Sequence, residues 1–172
     1  MEEIRDFSSE ESRMLSQLKD VFSHIRLAGQ ANIGNLESGL EILRSLRHLI
    51  YEDMNQLQHE ALILKVAKLL QDGFHPNVVK WLWNPRQTGR KDEPDLRGLD
   101  DRGEIVVSAE VTTSENPQGA IDGRMARTLE KLSAMPGDKY FVVTTTAMER
   151  RAKSKVNNLG SPISILRLEA RH

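Results

Sequence analysis

The sequence predicts an α/β protein with a mixed central sheet flanked by helices, preceded by an N-terminal helical region. Three observations carry that expectation. Apolar residues recur at alternating steps of three and four from Leu36 to Leu64, the period of a long helix. Three strand-like segments then follow one another between Val79 and Thr112 across a polar loop and a tight DDRGE turn, connections short enough for antiparallel pairing. From Ala120 onward helical and β-branched segments alternate, and helical crossovers set consecutive strands parallel.

Residues 1–8 read as frayed. A helix follows from about Ser9 to Ala28, with Ser8 or Ser9 as its cap, acids in its first turn and Met14, Leu18, Val21, Phe22 and Ile25 on one stripe. Gly29 ends it. A second helix, or two abutting ones, starts near Asn35 and runs to Asp72, where Gly73 stops it; its stripe of Leu36, Leu40, Leu43, Ile50, Met54, Leu57, Ala61 and Leu64 is broken only by Arg47. This divides the chain into a helical region, 1–51, and an α/β core, 52–172. The helical region offers more apolar surface than a sheet with helices of its own can cover, so a homodimer through these helices is expected.

Ala61 to Leu70 is apolar nearly all round, as in a helix buried against a sheet. On the helical wheel Glu60 falls in line with Leu64 and Ala67, and a carboxylate there needs a partner or a metal ion unless it escapes to solvent at the edge of the run. HPNVVKWLWNP reads as a strand with Val79, Trp81 and Trp83 packing on one face. The loop RQTGRKDE carries Arg86, Arg90 and Lys91, cations suited to phosphate and equally ordinary in a solvated loop. After the antiparallel segments comes a helix near Ala120 to Met135, apolar along Ile121, Met125, Leu129 and Leu132, with Arg124, Arg127 and Lys131 lined up on one flank. KYFVVTTT suits the middle of a sheet, MERRAKSKVNN is a short basic helix, and PISILRLEA is a final strand.

An apolar fraction of 38% and a charged fraction of 28% place the chain among globular proteins. With no cysteine, disulfides, thiolate catalysis and cysteine-bound zinc are excluded. A net charge of -1 makes no case for nucleic acid, but the charge is uneven. Residues 1–60 hold 11 acidic and 6 basic side chains, whereas residues 121–157 hold 8 basic and 4 acidic, as a phosphate-facing surface or an ordinary pair of helices would. No apolar run reaches the 18 residues of a membrane span, and the acidic start of the chain is unlike a signal peptide. A cytoplasmic protein without a membrane partner is the expectation.

Residues 94–114, PDLRGLDDRGEIVVSAEVTTS, hold the chemistry. Period two puts Ile105, Val107, Ala109 and Val111 on one face of the strand and Val106, Ser108, Glu110 and Thr112 on the other. The 14 residues between Asp95 and Glu110 suffice for two paired strands and a turn, which can set the two carboxylates side by side. Two convergent carboxylates suit Mg2+, which takes one or two of them together with water and substrate phosphate oxygens. The other reading makes Asp95 a turn residue after Pro94 and leaves Glu110 facing solvent.

With Glu60, Pro94-Asp95 and Glu110 in this order of elements, the chain resembles the PD-(D/E)XK nuclease superfamily, the restriction-endonuclease-like phosphodiesterases, over about residues 52–168. The resemblance implies a nuclease acting on DNA with Mg2+ or Mn2+. It implies that Asp95 and Glu110 ligate the metal with the Val111 carbonyl, and that Glu60 holds a metal-bound water or a second ion. The family pattern asks for a lysine two residues after Glu110, where this chain has Thr112. A threonine hydroxyl can orient water but carries no positive charge. Either the cation has moved, with Lys131 as first donor and Arg124 or Arg127 behind it, or the fold persists without catalysis as a DNA- or protein-binding module.

Overall fold

The computed structural model describes residues 1–85 and 92–168. Among the described residues the elements are β1 (Glu2–Glu3), α1 (Phe7–Gly29), α2 (Leu36–Gly73), β2 (Lys80–Trp83), β3 (Leu96–Leu99), β4 (Ile105–Val111), α3 (Ala120–Ser133), β5 (Asp138–Val143), α4 (Thr146–Leu159) and β6 (Ile163–Arg167). The six strands form one open sheet in chain order. Neighbours from β1 to β4 run antiparallel, whereas β4, β5 and β6 run parallel. The change of sense follows from the connections: a turn joins β3 to β4, while α3 and α4 carry the chain back over the sheet before β5 and β6.

The start of the chain departs from the frayed segment expected. Glu2 and Glu3 pair with Trp83 and Leu82, the Ile4 amide donates to the Trp81 carbonyl, and the Ile4 side chain is buried. Asp6, in extended conformation, then caps α1 by accepting from the Ser8 and Ser9 amides, so the cap lies two or three residues earlier than the Ser8 or Ser9 expected. Asn35 and Ser38 form a capping box at the start of α2, which runs unbroken for 38 residues. It is one helix rather than two abutting ones, and it is continuous across residue 51, where the sequence reading sets a boundary.

Each face of the sheet has its own core. On one, Ile63, Val66 and Leu70 of α2 pack with Trp81, Trp83, Leu96, Val107 and Val142. On the other, Leu129 and Leu132 of α3 and Met148 and Ala152 of α4 pack with Phe141 and Val143. Strand β5 therefore feeds both cores with alternate side chains, and its near-continuous apolar sequence is the consequence. Gly137 (φ 75°) turns the chain from α3 into β5 so close to β4 that a Cβ there would stand 2.5 Å from the Val106 carbonyl carbon.

Candidate functional site

The β3–β4 register pairs Leu96 with Ala109, which sets the residues one step further out, Asp95 and Glu110, across from each other. Just past the C-terminal end of β4 they line a cleft of about 340 Å³ together with His59, Thr112, Arg124 and Lys131. In sheets with parallel strands, ligands commonly bind outside the carboxyl ends of the strands.

Asp95 is held rigidly. Asn84 donates its side-chain amide to the Pro94 carbonyl (2.7 Å) and its backbone amide to the Asp95 carbonyl (3.0 Å). The Asp95 Oδ2 atom accepts from the Val111 amide at 2.8 Å and lies 3.4 Å from Nε2 of the buried His59. The same His59 nitrogen is 3.3 Å from the Val111 carbonyl oxygen. Burial pulls the His59 pKa down, but the hydrogen bond to Asp95 and the charge of that carboxylate outweigh it, and the net shift is upward.

Glu110 is 6% exposed, on the α3 side of the sheet, which removes the reading in which it faces solvent. The Lys131 ammonium, reaching across from α3, forms an ion pair with its Oε1 and donates to the Glu93 carbonyl at 3.1 Å. Burial, followed by the charge of Asp95, nevertheless pushes the Glu110 carboxyl up to about 8, with Lys131 pulling the other way. Two carboxyls this close hold one proton between them more readily than two negative charges.

Glu60 stands elsewhere. It is 1% exposed, and its Oε2 accepts from Arg13 Nη2 of α1 at 2.8 Å, with the guanidinium carbon 5.8 Å from the centre of the Trp83 ring. The three carboxylates expected together are therefore two. Among the described residues no three His, Asp or Glu side chains converge as a metal cluster. The reason is rotational: consecutive helix positions differ by about 100°, and α2 turns His59 rather than Glu60 toward Asp95. Nor does Glu60 escape to solvent.

Thr112 lines the cleft, its amide bonded to the Val142 carbonyl and its hydroxyl accepting from the Ser114 amide at 3.2 Å. Arg124 lines the cleft and is exposed; Arg127, also exposed, lies one turn further along α3 and is not part of the lining. Arg90 and Lys91 lie outside the described residues, as does Arg86. His59, Asn84 and Glu93 were not singled out by the sequence reading. His59 sits next to Glu60 at the edge of the apolar run, where the same argument about buried polar groups applies to it. Comparison with protein-family models, with curated proteins and with solved structures returns no match.

Proposed function

We propose that this chain is a metal-dependent nuclease hydrolysing phosphodiester bonds in DNA, on a restriction-endonuclease-like core. One observation carries the reading: the Asp95 and Glu110 carboxyls meet in a cleft where α3 delivers the Lys131 ammonium to Glu110. The cation missing at Thr112 is thus supplied from another element.

The donor set fits Mg2+ or Mn2+. The carboxylate oxygens of Asp95 and Glu110 and the Val111 carbonyl are hard donors, and Mg2+ completes so small a protein set with water and phosphate oxygens. A Glu110 carboxyl whose pKa is raised by burial and by Asp95 is also the condition that an added cation relieves. When bound, the ion supplies a more acidic water and neutralises charge on the scissile phosphate.

The residues of the chain do the rest. Asp95 is aimed by the Val111 amide and the Asn84 clamp. Lys131 carries three N–H donors, of which Glu110 and the Glu93 carbonyl engage two, and its charge stabilises the attacking hydroxide and the pentavalent phosphate. The Thr112 hydroxyl orients water or a phosphate oxygen. Arg124 at the rim of the cleft and Arg127 beyond it hold flanking phosphates, and Arg90 and Lys91, a few residues before Asp95 in the sequence, share that role in this reading. Glu60, engaged by Arg13, has no part in the chemistry of this reading.

The test is cleavage of supercoiled and linear duplex DNA in Mg2+ or Mn2+, beside calorimetric titration with Mn2+. Wild-type protein is expected to bind Mn2+ and cut, and Asp95→Asn to do neither while staying folded. Absence of both Mn2+ binding and cleavage in the wild type overturns the proposal. A second reading, a catalytically inactive nuclease-like domain that binds DNA or protein, is favoured by Thr112 and by the ammonium already seated on Glu110. Duplex binding that is unchanged by EDTA, without cleavage, selects it.

A further inference from the structure

We infer that α1 and the first half of α2 form the interface of a homodimer, in which α2 packs antiparallel against α2 of a second copy. The two helices make a hairpin closed along a buried seam that includes Met14, Val21, Ile50 and Leu57. Beside this seam, on one side of the hairpin, runs an apolar groove made of two hollows of about 460 and 310 Å³ that share Ile25. Apolar side chains stand out around it, Leu36 with 80% and Phe22 with 64% of their surface exposed, with Leu18, Leu40, Leu43 and Met54. Ridge and hollow thus occur on the same face, the condition for a two-fold contact in which one patch meets itself.

Size and charge favour a second copy over a foreign partner. The apolar side chains of this face expose on the order of 800 Å², the share one partner contributes to a standard interface. Paired antiparallel helical hairpins make a four-helix bundle, the usual way for two such faces to be covered. At about 100° per residue, Arg47 falls among Leu36, Leu40 and Leu43 on the groove side of α2, with Glu37 at the edge of that side, both exposed and neither in an ion pair among the described residues. Glu41 is turned away, onto a hollow lined by Ser38, Ser45 and Leu49 on the other side of the hairpin. In an antiparallel pair of α2 helices, the register that sets Glu37 beside Arg47 does so twice by symmetry, and Leu40 and Leu43 then interleave with their own copies. Opposite charges placed so across an interface set its register.

Light scattering after gel filtration and sedimentation equilibrium test this with the full chain. Wild-type protein is expected at twice the chain mass at micromolar concentration. Glu37→Lys sets cation against cation at two symmetric contacts and is expected to raise the dissociation constant by roughly tenfold. Adding Arg47→Glu to that variant restores opposite pairs and the dimer. Both positions are exposed, so circular dichroism should report an unchanged fold, and Leu40→Glu gives an independent route to the monomer. A wild-type chain that stays monomeric at about 100 μM, far above the dissociation constants of specific dimers, overturns the inference and leaves the groove to a foreign partner. A charge swap of positions 37 and 47 that fails to rescue overturns the register.

Discussion

Glu110 makes the stability of the metal-free protein depend on pH in a way that one isosteric substitution isolates. In the unfolded chain its carboxyl ionises at the ordinary value of 4.5; in the folded protein it does so at about 8. The folded state therefore binds the extra proton, and the contribution of this group falls as pH rises from about 4.5 to about 8. At about 1.4 kcal/mol per pH unit, the loss between pH 5 and pH 7 is on the order of 2–3 kcal/mol. His59, whose pKa is also raised, adds stability that is complete below its unfolded value of 6.5 and is lost as pH climbs past its folded one. Urea unfolding in EDTA at several pH values, for wild type and Glu110→Gln, separates the two groups, because the variant keeps His59. The two proteins are expected to be of similar stability near pH 5, with Glu110→Gln ahead by on the order of 2–3 kcal/mol at pH 7. Parallel curves would refute the reasoning; they would mean that Lys131 keeps Glu110 ionised in the native state at neutral pH.

Three further outcomes follow from the same geometry. Lys131→Ala should lower Mg2+-dependent cleavage by about a hundredfold or more without changing the circular dichroism spectrum, and Thr112→Lys in that background should recover part of the rate. Arg13→Ala removes a partner of the buried Glu60 and should cost on the order of 2 kcal/mol in urea unfolding, less than a fully buried pair because Arg13 is partly exposed, while Mn2+ affinity measured by calorimetry stays the same. Gly137→Ala should cost at least about 3 kcal/mol, from the left-handed backbone and the clash with β4 together, read as a fall in unfolding temperature.

Several features of the cleft were legible from local pattern. Alternation along 105–112 put Glu110 on the face opposite Val107 and Val111, and the spacing to Asp95 made one hairpin of the two carboxylates. The basic flank of the 120–135 helix pointed to Lys131, because the connection after β4 has to pack that helix over the face that carries Glu110. Arg124 was legible for the same reason, since it shares that flank.

What the sequence determined by itself are the elements other than β1, their order and the sense in which those strands pair, because periodicity and connection length are local properties of a chain. Only the tertiary structure decided which carboxylate a distant cation neutralises. Arg13 reaches Glu60 across 47 positions of sequence, and one step of rotation on α2 exchanges Glu60 for His59 at Asp95. The pairing of Glu2 and Glu3 with the edge of β2 is of the same kind, since two residues have no period to read. The proton on Glu110 is decided last of all. Its pKa is set by how much water α3 and the sheet exclude and by the distances to Asp95 and Lys131, quantities that exist only once the chain has closed around them.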